Sequence, residues 1–404
     1  MFNHQLTPEQ LEFRDAVRDF VTHEVKPFVL DPIRLQDLAR PLPLELIDKA
    51  SRMGLRTLAL SEESGGTGAD NLTSCVVMEE LGAGDVQVGM PLAHTSMLAA
   101  ALFDRAMTKE QRARFLPQFM DDDRYHLAYA AAELDTNLRW RYHRAVDSAL
   151  ECGVTAVRRG SEWLLNGTTA FVANASIAKL IAVQARPSGG GPEALVTLLV
   201  PLETRGLAVV QPASAEYVKW HHGAGGEIVF KDCAVPAANQ IDADKALALE
   251  PLAAGHPQFC ALNIGIGRAA FEAAVDYAKL RIQGGRPIIQ HQAIGGILAD
   301  VAVALNIARD AVWHAAWALD HPEINSDHSG FDLPLATIAQ VFTSEAVYKA
   351  TEDSAECFGA MGVMLDMPLP KYIGDARMFL HSGESTAVAK LRIAEAIAGF
   401  ARRR

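Results

Sequence analysis

The hydrophobic period of this chain changes twice, and the order of those changes limits the folds open to it. From Thr7 to about Met120 the apolar residues recur at helical spacing, as in the stripe Leu11, Phe13, Val17, Phe20 and Val21 that follows the capping signature Thr7-Pro8-Glu9-Gln10. A further helix is expected over residues 43–53, ended by the glycine-rich stretch 54–68, before residues 74–82 restart the period. Between about Leu127 and Asp244 the pattern turns to short apolar or alternating runs punctuated by Gly, Pro and Asn. Examples are Trp163-Leu164-Leu165, Leu180-Ile181-Ala182-Val183 and Val196-Thr197-Leu198-Leu199-Val200. From about Lys245 long amphipathic patterns return. One carries Ile266, Ala269, Ala270, Ala273, Ala274 and Tyr277, and a second Ile294, Ile297, Leu298, Val301, Leu305, Ala308 and Val312. Long helices with short connections predict an antiparallel four-helix bundle. The expected fold is therefore mainly α with a central β-barrel or sandwich: helical domain 1–126, β-domain 127–244, helical bundle 245–404.

Charge and cysteine usage narrow the function. With 37 Lys plus Arg against 49 Asp plus Glu the net charge is −12, which argues against a nucleic-acid or anionic-membrane partner. Cys75, Cys152, Cys233, Cys260 and Cys357 are far apart and form no Cys-x-x-Cys pair, so free thiols in a reducing compartment are expected and a metal site is not. The N-terminus lacks a basic-then-apolar leader. No apolar run in the sequence approaches the roughly 20 residues of a membrane span, and the expectation is a soluble, cytoplasmic protein. His221 and His222 are adjacent, so on a strand they point to opposite faces and cannot share a metal.

Residues 372–398 place a polar turn, His381-Ser382-Gly383-Glu384-Ser385-Thr386, directly before a helical pattern carrying Val388, Leu391, Ile393, Ala394 and Ile397. Ser385 or Thr386 is a plausible N-cap. The helix start gathers a carboxylate, two hydroxyls and backbone N–H groups, an arrangement suited to binding an anionic group or presenting a base. The order Asp375-Ala376-Arg377, then this turn, then Val388-Ala389-Lys390-Leu391-Arg392-Ile393-Ala394 resembles the C-terminal signature of the acyl-CoA dehydrogenases, flavoproteins that desaturate acyl thioesters. In the ungapped register Gly383 stands where that family keeps its catalytic glutamate, and Glu384 falls one residue late. The resemblance extends through Thr7-Pro8-Glu9-Gln10, the glycine loop, Met78-Glu79-Glu80-Leu81-Gly82 and Lys109-Glu110-Gln111 in the first third.

In the middle region Trp163-Leu164-Leu165-Asn166-Gly167-Thr168-Thr169-Ala170-Phe171-Val172-Ala173-Asn174 is similar to the family's Trp-Val-Ile-Asn-Gly-x-Lys-x-Trp-Ile-Thr-Asn. The resemblance implies that Phe171 supplies the surface beside the isoalloxazine of FAD, while Ala173 lacks the hydroxyl that contacts N5 and leaves only a backbone N–H. The family's Thr-Glu-Pro-Gly-Ala-Gly-Ser-Asp stretch is poorly kept, with Ala132-Glu133-Leu134-Asp135-Thr136-Asn137 followed by an insertion containing Arg139, Trp140, Arg141, Tyr142, His143 and Arg144. Further on, residues 281–292 resemble the cofactor segment Arg-x-x-Phe-Gly, which implies Arg281 at the FAD diphosphate and Gln292 at the adenosine end. Gly284 replaces the phenylalanine. Residues 355–362 resemble a loop that reaches a neighbouring subunit's cofactor in family members. They imply a role for Gly359 there and an oligomer, homomeric or heteromeric, dimer or tetramer.

The family's second location for the base, early in the first bundle helix, maps onto Gly255 and His256. The resemblance thus implies an FAD-dependent dehydrogenase that removes the α-proton of an acyl-CoA and passes hydride from the β-carbon to the flavin. Glu384 is the candidate base, with Ser385 and Thr386 beside the cofactor. A silent subunit paired with an active homologue, and a lyase-type flavoprotein of the same fold, stand as alternatives. The departures around the pocket point to an acyl group other than a plain straight chain.

Overall fold

The computed structural model describes residues 5–37, 41–134, 150–191, 194–210, 224–252, 255–324, 332–381 and 384–400. Residues 139–144 of the insertion, His221, His222 and Gly383 lie outside the described residues. The main elements of the first third are helices α1 (Pro8–Phe20), α2 (Leu44–Arg52), α3 (Asn71–Gly84), α4 (Val86–Ala99) and α5 (Lys109–Asp121). Capping chemistry sets their starts. Thr7 and Thr108 each form a reciprocal box with Gln10 and Gln111, and Asp70 and Asp85 accept from backbone N–H groups at the starts of α3 and α4.

Among the described residues the middle of the chain holds an eight-stranded sheet, with a separate short pair of Glu133–Leu134 and Leu150–Glu151. Its principal strands are β1 (His126–Ala130), β2 (Val154–Arg159), β3 (Glu162–Thr168), β4 (Ala178–Pro187), β5 (Val196–Pro201), β6 (Leu207–Val210), β7 (Glu227–Pro236) and β8 (Gln240–Ile241). The order is β8-β5-β4-β2-β3-β7-β6, with β1 parallel to β4 in the register Leu127 to Leu180 and Ala130 to Val183. Gln111 Nε2 donates to the carbonyls of Ala238 and Gln240, both at 2.8 Å, and fastens α5 to the sheet edge. A mixed core of Phe103, Phe115, Phe119, Leu127, Leu180 and Leu199 fills the junction.

The last region holds α6 (Pro257–Leu280), α7 (Gln292–Asp320), α8 (Leu335–Glu356), α9 (Leu369–Met378) and α10 (Thr386–Ala398). Its core is continuous with that of the first region: Val17, Phe20, Met78 and Leu81 share one cluster with Leu262, Ile266, Leu305 and Val347. α3 and α6 approach until backbone meets backbone. A Cβ on Gly82 would stand 2.0 Å from the Leu262 carbonyl oxygen, and one on Gly265 2.2 Å from that of Glu79, so this crossing requires glycine on both helices. Beside it Arg268 pairs with Glu80 at 2.6 Å, Arg18 with Glu80 at 2.7 Å and Arg309 with Glu79 at 2.9 Å. These pairs tie α1, α3, α6 and α7 together. Each buried carboxylate is matched by guanidinium groups, without which its burial would be costly.

One sequence expectation is corrected. Two helical segments, Val86–Ala106 and Gln292–Asp320, are long and apolar enough to cross a membrane. Small residues and isolated polar positions keep them from standing out as a continuous apolar run. The first has 89% of its apolar window buried inside the protein, as a core helix does. The second has 22% buried, and it turns Val303 and Ile307 outward.

Candidate functional site

The turn before α10 folds as its residue types dictate. Ser385 is the N-cap, its Oγ accepting from Val388 N at 3.4 Å, and Thr386 is the first helical residue. The Glu384 carboxylate accepts from Arg392 Nε of the helix that follows it, and its side chain is 8% exposed. The backbone carbonyl of Glu384 accepts from Gln340 Nε2 of α8 at 2.8 Å. Gln340 in turn fills the space over Gly255, where an added Cβ would stand 2.1 Å from its Oε1. Gln340 therefore links the backbone of Glu384 to Gly255, the position to which the resemblance assigned the second location of the base. Between them lies the carboxamide of a residue that the sequence reading did not single out.

His256 caps α6, with Nδ1 accepting from Gln258 N at 3.3 Å. Burial, with a smaller contribution from Arg105, lowers its pKa to about 4, so the ring is neutral at ordinary pH. With Nδ1 occupied as an acceptor, Nε2 carries the proton, and the residue serves as a capping group rather than a ready base. One turn further along α6, Phe259 meets His94 of α4 with ring centroids 4.5 Å apart.

Phe171 and Ala173 lie in the segment after β3. The Phe171 ring is 40% exposed and covers Gly225, where a Cβ would come within 2.0 Å of the ring. This leaves an open aromatic surface at the sheet. Ala173 is half-buried. Asn174 fixes the segment from behind: it is fully buried, and Nδ2 donates to Pro91 O at 3.0 Å, Thr95 Oγ1 at 3.3 Å and Leu127 O at 3.3 Å. The sequence reading quoted Asn174 only as the end of a motif, without this anchoring role.

Arg281 is the C-cap of α6 and begins a small hairpin in which Ile282–Gln283 pairs with Arg286–Pro287. Gly284 and Gly285, with φ of 62° and 79°, make the turn. Arg281 and Arg286 are exposed, and Arg281 has no ion pair among the described residues, so this edge is open to an anionic group. Gln292 opens α7, exposed beside His291. Gly359 is exposed with φ of 57°, in the turn held by Phe358 stacked on Tyr277 at 4.2 Å. Among the described residues no hydrogen bond or ion pair joins Arg281, Gln292 or Gly359 to Phe171 or to the Glu384 turn. They form separate stations around the bundle and the sheet.

Known proteins resemble this chain in sequence and fold. The family descriptions "Acyl-CoA dehydrogenase, N-terminal domain" and "Acyl-CoA dehydrogenase, C-terminal domain" match residues 7–123 and 246–398. The chain is 30% identical over 390 residues to the probable acyl-CoA dehydrogenase YngJ of Bacillus subtilis, covering 95% of this chain and 96% of that protein. It is 26% identical over 392 residues to the mitochondrial isobutyryl-CoA dehydrogenase of Dictyostelium discoideum, covering 96% and 89%. Among solved structures, butyryl-CoA dehydrogenase from Megasphaera elsdenii superposes with a TM-score of 0.80 at 23% identity over 98% of this chain and 100% of that one, a likeness of fold. By these matches along nearly its whole length, the chain belongs to the acyl-CoA dehydrogenase family of FAD-dependent oxidoreductases.

Proposed function

We propose that this protein desaturates an acyl-CoA thioester between its α- and β-carbons, with Glu384 as the base and an acyl group other than a plain straight chain. The supporting observation is that Gln340 joins the backbone of Glu384 to Gly255, the family's second location for the base, so that the one carboxylate of this turn stands on the residue beside that location. Arg392 places a guanidinium against that carboxylate and fixes its position. Phe171 and Ala173 would flank the isoalloxazine. Arg281 would hold the diphosphate, Gln292 the adenosine end, the loop at Gly359 would reach the cofactor of a neighbouring subunit, and Ser385 and Thr386 would line the cofactor edge near the base. FAD, when bound, supplies the acceptor for the hydride leaving the β-carbon. In this reading the protein works in the cytoplasm as a dimer or tetramer, with itself or with a homologue, and the outward Val303 and Ile307 of α7 support such an assembly.

Anaerobic mixing of the FAD-loaded protein with a panel of acyl-CoA thioesters tests the reaction. Flavin absorbance should bleach with at least one thioester, and Glu384→Gln should slow that bleaching by about 10²–10⁴-fold. Bleaching that survives Glu384→Gln removes Glu384 as the base and leaves the dehydrogenase reading in place. A specific observation favours a second reading, the silent subunit: the Glu384 side chain is largely buried and engaged by Arg392, and Gln340 occupies the other base location. In that case no thioester bleaches the flavin, and activity emerges only on co-expression with a homologue.

A further inference from the structure

Thr95 of α4 is wholly buried, and its hydroxyl meets three polar groups: His126 Nδ1 at 3.1 Å, Asn174 Nδ2 at 3.3 Å and Leu127 N at 3.4 Å. A hydroxyl carries one proton and two lone pairs. The Asn174 NH2 and the Leu127 N–H can only donate, so they take the lone pairs, and the hydroxyl proton goes to His126 Nδ1. Thr95 makes no other hydrogen bond among the described residues. With Nδ1 accepting, a neutral ring holds its proton on Nε2. The surroundings keep the ring neutral: burial, with Arg56 adding to it, Asp122 opposing and Lys179 adding, lowers the His126 pKa to about 4. A ring with its proton on Nδ1 would set a third donor against Thr95, and the hydroxyl would have to release Asn174 or Leu127.

Asn174 in turn holds one end of the segment after β3. Two residues earlier Val172 is tied to Gly226 by a two-way backbone pair, at 2.8 and 3.1 Å. Ala173 lies between these anchors, half-buried, and its N–H donates to nothing among the described residues. We propose that Thr95 is a positioning residue for the dehydrogenation: its hydroxyl, given to His126, holds Asn174 and so aims the free N–H of Ala173 at the N5 edge of FAD. The inference rests on the dehydrogenase reading and deepens it. It names the residues behind the sheet that set the donor left to the flavin where the resemblance expects a hydroxyl.

Titration of the apoprotein with FAD, followed by the visible flavin spectrum, tests this. Thr95→Val keeps the branched shape and removes the hydroxyl. It should weaken FAD binding about fivefold, the weight of one net hydrogen bond, and displace the flavin absorption band of the saturated protein. Thr95→Ser keeps the hydroxyl and loses a methyl group, and it should bind FAD within about twofold of the parent with the band in its original place. Lost packing alone predicts the opposite order, since serine fills the site less well than valine. NMR of the ring nitrogens in the parent protein should show His126 neutral with its proton on Nε2. A folded Thr95→Val protein that binds FAD within about twofold of the parent, with an unmoved band, overturns the proposal. A His126 proton found on Nδ1 also overturns it, and that measurement needs no variant to fold. Both results leave the dehydrogenase reading standing, whereas a parent protein that takes up no FAD overturns that reading and this proposal together.

Discussion

Asn174 holds Thr95 across the junction of helix and sheet: its backbone is left-handed at φ of 63°, and its buried Nδ2 lies 3.3 Å from Thr95 Oγ1. The same hydroxyl lies 3.1 Å from His126 Nδ1, so one residue of α4 gathers the start of β1 and the segment after β3. Phe171 stands three residues before this anchor. The position of its exposed ring is thus decided by a polar knot behind the sheet.

Asn174→Ala should therefore destabilise the fold and loosen the Phe171 surface together. The variant loses donors to two buried carbonyls and the residue type that best tolerates this backbone. Together these losses cost about 3 kcal/mol. Asn174→Gly keeps the backbone conformation without the side-chain bonds and should fall between the two. Urea unfolding gives the stability order, and flavin absorbance per protein gives FAD occupancy. An Asn174→Ala protein with unchanged midpoint and full occupancy would refute the anchoring role.

Two buried histidines predict a loss of stability on mild acidification. Burial lowers His126 to about 4, with Arg56 adding to the effect, and burial lowers His256 to about 4, with Arg105 adding. In the unfolded chain each titrates near about 6.5. Below that value the unfolded state takes up protons that the native state refuses, so stability present at pH 7 is lost as pH falls from about 6.5 toward 4. Each group accounts for up to about 3 kcal/mol across the full window. The urea midpoint should fall between pH 7 and pH 5, and His126→Gln should flatten that slope. A slope unchanged by replacing either histidine would show that other groups carry it.

Much of the architecture was legible because it rests on local, periodic signals. The Thr7 and Thr108 boxes, the short apolar run in β4 and the apolar faces of α6 and α7 can all be read without knowing what packs against them. The candidate site was legible only in part. Glu384 and Ser385 announced themselves by a polar turn before a helix. The two partners of Glu384 are set by the folded chain: Arg392, two turns along α10, meets its carboxylate, and Gln340 of α8, 44 positions earlier in the chain, meets its carbonyl. A single glutamine inside an apolar helix carries no local signal of what it faces. The apolar outer face of α7 was missed as a feature for a related reason, since period analysis finds the buried stripe and says nothing of the exposed one.

That outer face yields a test of assembly. Val303 is 58% exposed and Ile307 50%, one turn apart on α7, while Leu305 and Ala308 point inward. Two apolar side chains on one exposed helix surface fit an interface core better than a solvated face. Val303→Lys with Ile307→Lys should shift the protein to a smaller species by light scattering while its circular dichroism stays unchanged. An unaltered mass in the double variant would place the interface elsewhere.

Arg392 separates the two readings of Glu384, because its guanidinium, two turns into α10, engages a carboxylate that precedes the helix. If Glu384 is the base, Arg392 positions it. Arg392→Met then frees the carboxylate and should slow flavin bleaching by a thioester substrate by about tenfold or more, since a misplaced catalytic group loses much of its effect, and Arg392→Lys should restore part of the rate. If the pair is purely structural, Arg392→Met lowers the urea midpoint and leaves the bleaching rate of the folded protein as it was. A bleaching rate unchanged in Arg392→Met, in protein with normal flavin content, would assign the proton transfer to another group.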